Sequence, residues 1–257
     1  MCLFLLSCCR FFDKLITRKV DIMNKVINFI DQIAHGLFAL GLILVLFITS
    51  IDYHCFDYNF FKNEYQKLNT AENLGMSQDD LMSATTTLLD YLKEERDDIK
   101  VMVTISGNQM EAFNTKESAH MIDVRALYQN ALMVRNIALI VSVISLIYLI
   151  VKQRKGMILG FCSNYIKVAI LFGFAIALLA IWAIADFDAF WTCFHEVLFT
   201  NDLWLLDPRI DLMINLFPAD FFFALVMRIV ITFLIMFLGI FSGCIIYLKM
   251  KLKKGSA

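Results

Sequence analysis

The run Val168-Ala-Ile-Leu-Phe-Gly-Phe-Ala-Ile-Ala-Leu-Leu-Ala-Ile-Trp-Ala-Ile-Ala185 holds no charged residue. As a helix it extends roughly 27 Å, the thickness of the hydrocarbon core of a bilayer. Working outward, three further runs share its character: Ala34 to Ile51, Ile137 to Val151 (extended upstream through Arg135 by Ala131 to Val134), and Ile229 to Leu248. The composition agrees. Of 257 residues, 60% are hydrophobic, 24 are Phe and 18% are charged, with a mean hydropathy of +0.68. A soluble domain of this length needs a more charged surface. The expectation is a mainly α membrane protein with four transmembrane helices and a small α+β extracytoplasmic domain between spans one and two.

A net charge of −1 argues against a nucleic-acid partner, but in a membrane chain the average hides the two sides. Arg10, Lys14, Arg18, Lys19 and Lys25 precede the first span, Lys152, Arg154 and Lys155 follow the second, and Lys249, Lys251, Lys253 and Lys254 follow the fourth. In those segments the acids are Asp13, Asp21 and Asp31, whereas acids dominate between spans one and two and between three and four. The positive-inside rule then predicts both termini in the cytoplasm. The expected division is a cytoplasmic segment 1–33, spans at 34–51, 131–151, 168–185 and 221–248, an extracytoplasmic domain 52–130, a cytoplasmic loop 152–167, an extracytoplasmic interfacial segment 186–220 and a cytoplasmic tail 249–257. Residues 1–22 lack the cleavage site of a signal peptide and are too short to span. They read as an amphipathic extension, or as sequence ahead of a start at Met23. Cys2, Cys8 and Cys9 then lie on the reducing side as free thiols. Cys162 and Cys244 read as packing residues, and Cys55 and Cys193, at outer helix ends, either pair or stay free.

Within 52–130, Phe60 to Asn73 is predicted helical and Gly75 breaks it. Ser77 with Asp80 starts a second amphipathic helix, through Arg96, with Leu81, Thr85, Leu88, Leu89 and Leu92 at helical spacing. Ile99 to Ile105, a turn at Ser106 to Asn108, and Gln109 to Phe113 predict a β-hairpin. From Lys116 the helical period continues into the second span without a breaker. This places His120 roughly 22 Å of helix above Arg135. Segment 186–220 is too aromatic for a solvated loop, with Phe187, Phe190, Trp191, Phe194, Phe199, Trp204 and Phe217 among its acids, and is expected at the membrane interface around His195.

His54, His120 and His195 lie outside on this topology, and His35 at the cytoplasmic end of span one. Two positioned imidazoles can act as base and acid near neutral pH; taken singly, each is more often a packed structural side chain. There is no Gly-x-Ser-x-Gly elbow, and Cys193 and His195, two apart on a helix, point apart. Three outer histidines with Glu196 offer a metal site, but without His-x-x-x-His or Cys-x-x-Cys spacing. Asp123, one helical turn after His120, either orients its ring, pairs with Arg125 or is a solvated acid. Arg228 belongs at the outer interface. Arg135, a few Å inside, either faces a polar cavity or pairs with Asp186 or Asp220.

Two stretches carry a resemblance. Glu117-Ser-Ala-His-Met-Ile-Asp-Val-Arg125, and Phe194-His-Glu-Val-Leu-Phe-Thr-Asn-Asp-Leu-Trp-Leu-Leu-Asp-Pro208 followed by Asp211 and Leu216-Phe-Pro218, resemble the bacterial lipoprotein intramolecular transacylases. The resemblance covers Asn24 to Lys249, including a Leu-x-x-Tyr-Leu stretch at Leu88 to Leu92; residues 1–22 and the Cys55/Cys193 pair stand outside it. It implies an acyltransferase at the outer face of the bacterial cytoplasmic membrane. There an acyl chain moves from the glycerol sn-2 position of a lipoprotein's diacylglyceryl-cysteine to the cysteine α-amine, giving the lyso form. The family's catalytic histidines correspond to His120 and His195. Asp123, Arg125, Arg135, Asn201, Trp204 and Arg228 are expected to support them or bind substrate. The partners implied are the diacylglyceryl-modified lipoprotein and membrane lipid, with the chain a monomer and no metal, cofactor or nucleic acid. A non-catalytic membrane receptor or scaffold and a metal-dependent membrane hydrolase are the rival readings.

Overall fold

The computed structural model describes residues 2–152 and 156–255. The side chains of residues 2–16, 187, 188 and 255 lie outside that description, and with them Cys2, Cys8, Cys9, Arg10, Asp13, Lys14, Phe187 and Asp188; Arg154 and Lys155 lie outside it entirely. Nine helices and one hairpin are described: α1 (Cys2–Cys55), α2 (Tyr58–Lys67), α3 (Thr70–Leu74), α4 (Gln78–Leu92), β1 (Met102–Ile105), β2 (Asn108–Glu111), α5 (Thr115–Lys152), α6 (Met157–Ala185), α7 (Phe187–Leu198), α8 (Leu212–Leu216) and α9 (Ala219–Gly255). Among the described residues, α1, α5, α6 and α9 are long and apolar enough to cross a membrane. The protein is thus a mainly α membrane protein with four spanning helices and a small two-stranded sheet. On α6, Leu171, Phe174 and Ile181 are exposed and Ile184 is 86% exposed, a pattern that only lipid makes favourable.

The contacts divide the chain into two units. The first comprises Met1–Ile43, Ala138–Leu171 and Ile240–Ala257. Here small residues let helices approach and polar side chains join them. A Cβ on Gly41 would lie 2.1 Å from Ser142 Oγ on α5, and one on Gly160 would lie 2.2 Å from the ring of His35 on α1. Tyr148 Oη donates to Asp31 at 2.8 Å and Asn164 Nδ2 to Gln32 at 3.0 Å. Cys162 and Cys244 are buried, as packing residues should be.

The second unit comprises Leu44–Ile137 and Phe172–Gly239. Its core joins Phe60, Phe61 and Tyr65 of α2, Leu81 and Leu88 of α4, and Val103 of β1 to Met213 and Leu216 of α8 and Phe221 of α9. Tyr65 and Phe221 stack at 5.3 Å. The helix expected over 60–73 is two helices, because Asn69 takes a left-handed conformation (φ 52°) between α2 and α3, which Asn tolerates better than most residues. Ser77 caps α4, its Oγ accepting from Asp80 N at 3.0 Å; α4 stops at Leu92, short of the expected Arg96. The hairpin pairs Met102 with Glu111 and Ile105 with Asn108. Its turn is Ser106-Gly107, both at positive φ, so Asn108 belongs to the strand, as in the tight turns whose twist suits a hairpin. α5 runs unbroken from the hairpin into its spanning part. Cys55 and Cys193 are free, so the disulfide alternative is withdrawn.

Candidate active site

The site is built on the first turn of α5. Asn114 Oδ1 accepts from Lys116 N and Glu117 N at 2.9 and 3.0 Å, and Glu117 Oε2 accepts back from Asn114 N at 2.8 Å. This reciprocal capping box satisfies donors that a helix start would leave bare. Here it does a second job. Glu117 Oε1 accepts from Met213 N at 2.6 Å, and Asn114 Nδ2 donates to Asp211 Oδ1 at 2.6 Å. Asp211 Oδ2 accepts from Asp207 N at 2.6 Å and lies 3.9 Å from Lys116 Nζ, which also donates to the Leu205 carbonyl. Glu117 and Asp211 are each 1% exposed. The stretch from Leu205 to Met213 is therefore pinned to the first turn of α5, one turn before His120.

His195 reaches the same place from the last turn of α7, whose start is capped by Asp186 accepting from Ala189 N at 3.0 Å. Both His120 and His195 are buried. Both rings pack against Phe199, at 5.4 and 5.6 Å between centroids. His195 is also stacked on Trp204 at 4.8 Å and met edge-on by Trp191 at 4.5 Å. Its Nδ1 lies 2.8 Å from the Trp191 carbonyl oxygen. A carbonyl can only accept, so the neutral ring carries its proton on Nδ1 and presents a lone pair at Nε2. Burial lowers the pKa of His195, opposed by the bond to Trp191, because the charged ring loses hydration there. His120 Nδ1 is buried with no hydrogen-bond partner among the described residues. Beside the pair lies a cavity of about 460 Å³ whose walls include Thr192, Glu196, Phe199, Asn201, Asp202 and Trp204.

The other expected site residues fall in three places. Asp123 accepts from Asn201 Nδ2 at 2.9 Å through one carboxylate oxygen, which ties α5 to the cavity wall. Arg125 stacks over Tyr91 at 4.2 Å instead. Arg135 pairs with Asp52 at 2.6 Å, not with Asp186 or Asp220; Asp52, in the last turn of α1, also takes the Tyr128 hydroxyl of α5, so the two helices meet at this carboxylate. Arg228 pairs with Asp57 at 2.9 Å. His54 is buried and bonded to Thr232 at 2.7 Å. Among the described residues, no three His, Cys, Asp or Glu side chains group to hold a metal. Sequence reasoning missed Trp191 and Phe199 as histidine partners; the Asn114-x-x-Glu117 box was readable.

Four spanning helices and two buried imidazoles on one aromatic ring define a membrane protein equipped for acid–base chemistry. The chain belongs to the lipoprotein intramolecular transacylase (Lit) family, whose model matches residues 36–222. It is an enzyme of that family. A solved structure of the membrane-integral lipoprotein intramolecular transacylase from Bacillus cereus is similar at 21% identity and TM-score 0.68, covering 89% of this chain and 99% of that one. A variant of that protein with one histidine changed to arginine matches at 20% identity and TM-score 0.67, covering 90% of this chain and 97% of that one. No curated sequence matches significantly.

Proposed function

We propose that this enzyme moves an acyl chain from the sn-2 ester of a lipoprotein's diacylglyceryl-cysteine to the α-amine of the same cysteine. The shared seat of His120 and His195 against Phe199 carries the reading. The amine attacks the ester carbonyl through a ring of about eight atoms within one substrate molecule, so the site chiefly holds the two ends together. His195 Nε2, bare while Nδ1 donates to Trp191, takes the proton from the amine as the N–C bond forms. His120 donates an N–H hydrogen bond to the developing oxyanion, and the proton taken up by His195 passes to the departing sn-2 oxygen as the C–O bond breaks, so both rings end neutral as they began. No covalent acyl-enzyme is needed. The cavity containing Asn201 and Trp204 receives the polar end of the substrate.

The basic flanks of the spans support cytoplasmic termini and a site on the extracytoplasmic face. With them goes the division into spans at 34–51, 131–151, 168–185 and 221–248 flanking the two extracytoplasmic segments. The chain acts as a monomer on a substrate presented in the bilayer.

The test is to express wild type, His120→Ala and His195→Ala in a bacterium that makes diacylated lipoprotein and fragment one lipoprotein's N-terminal peptide by tandem mass spectrometry. Acyl migration conserves mass, so the fragments must locate each chain. Wild type should place one chain on the amine and both variants, at equal expression, should leave the diacylglyceryl form. An unmodified amine with folded wild type overturns the reading.

A further inference from the structure

A second cavity, of about 780 Å³, is walled by Asp52, Asp57, Phe56, Phe60, Lys93 and Arg228, with Tyr53, Asn59 and Asn63 completing its lining. Neither His120 nor His195 lines it. Both of its carboxylates are already engaged. Asp52 takes Arg135 at 2.6 Å and the Tyr128 hydroxyl at 2.6 Å, and Asp57 takes Arg228 at 2.9 Å while accepting from Phe60 N at 3.2 Å.

The cations are not used up in the same way. Among the described residues Lys93 has no carboxylate within ion-pair distance; its ammonium sits over the rings of Phe56 and Tyr58 at 4.6 and 5.6 Å. Arg228 lies over Phe60 at 4.6 Å, and its Nη1 is buried with no hydrogen-bond partner. Asp52 is neutralised by Arg135, which stands outside the lining, and Asp57 by Arg228, so Lys93 keeps an ammonium without an acid partner beside two amide side chains. That set suits an oxyanion with several acceptor oxygens.

Position decides which oxyanion. Asp52 and Tyr53 sit in the last turn of α1, and Arg228 sits on α9, both membrane-spanning helices. Tyr53 is 70% exposed at the rim, as aromatic side chains are at headgroup level. We propose that this cavity binds the phosphate of a phospholipid headgroup. The diacylglyceryl-cysteine of the substrate carries no phosphate, so the ligand here is a lipid distinct from the substrate. Lys93 and the exposed part of the Arg228 guanidinium, whose side chain is 38% exposed, contact the phosphate oxygens, and Asn59 and Asn63 reach the polar remainder of the headgroup.

The test uses the full chain, purified in mild detergent and stripped of lipid, with binding read by native mass spectrometry. The probes are dioleoylphosphatidylglycerol, dioleoylglycerol and inorganic phosphate, and the proteins are wild type, Lys93→Glu and Asn63→Asp. Both substitutions lie at half-buried or exposed positions, and unchanged thermal unfolding confirms that each variant folds. Wild type should bind the phospholipid at least about tenfold more tightly than Lys93→Glu, which removes one charge-assisted contact and sets a carboxylate against the phosphate. Asn63→Asp should weaken binding in the same direction, and dioleoylglycerol should not distinguish the three proteins. Equal phospholipid affinity across the three overturns the proposal. So does inorganic phosphate binding more tightly than the lipid, which marks a free-anion site.

Discussion

His195 holds the Trp191 carbonyl oxygen 2.8 Å from its Nδ1, one helical turn back along α7. That bond selects the tautomer with a free Nε2, while burial keeps the ring neutral to lower pH than an exposed imidazole. A base must be unprotonated, so the sign is clear: kcat falls as pH drops through the His195 pKa, and that limb lies on the acid side of the usual imidazole value of about 6.5. Measuring kcat against pH in detergent micelles checks it. The substrate α-amine adds its own limb near about 8; a profile that keeps a one-proton slope below about 6.5 contradicts the neutral-base assignment. The same shift stabilises the folded protein above the unfolded-state pKa and is lost as pH falls through the folded one.

Glu117 acts on the site through backbone rather than substrate. Its two oxygens satisfy Asn114 N and Met213 N, and Glu117→Ala leaves both without their acceptor. The expected cost is about 2–4 kcal/mol, from two donors that lose a charged partner. Glu117→Gln keeps one acceptor and should recover part of it. Thermal unfolding of the detergent-solubilised protein measures both. Activity should follow stability in the alanine variant because Met213 loses its bond to the turn of α5 that precedes His120.

The four spans, the hairpin and the continuity of α5 were legible because each rests on local pattern: uncharged runs, alternation around Val101 and Val103, and no breaker after Lys116. The histidine pair was reached through its family resemblance rather than through periodicity. What stayed hidden depends on partners far apart in the chain. Asp123 and Asn201 meet across 78 positions, and Asp52 and Arg135 across 83. Nothing local distinguishes Asp52 from Asp186 as the partner of Arg135; only the packing of α1 against α5 brings Asp52 to it. The break at Asn69 escaped for a smaller reason, since a single left-handed Asn interrupts an otherwise helical pattern.

Cys55 and Cys193 are free thiols in the folded protein. Reducing agent should therefore leave the unfolding temperature unchanged, and alkylation after denaturation without reductant should label both. Peptide mapping by mass spectrometry decides this. A peptide joining Cys55 to Cys193 in the unreduced digest contradicts the structure.

Arg135 bonds Asp52 at 2.6 Å, and Tyr128 bonds the other oxygen of the same carboxylate at 2.6 Å. With side-chain exposures of 23% and 31%, the ion pair is partly shielded from water. Breaking it from either end leaves a charge poorly solvated. Arg135→Gln leaves Asp52 with only the tyrosine hydroxyl, and Asp52→Asn leaves a guanidinium without its anion on a helix that enters the membrane. Each single change should cost about 1–3 kcal/mol. The double variant removes both charges and should cost less than the sum, with a coupling of about 1 kcal/mol or more. Tyr128→Phe, which leaves the ion pair intact, should cost about 1 kcal/mol. Equilibrium unfolding of the four variants gives the cycle, and strict additivity of the two charge changes would show that the pair adds nothing beyond its separate residues.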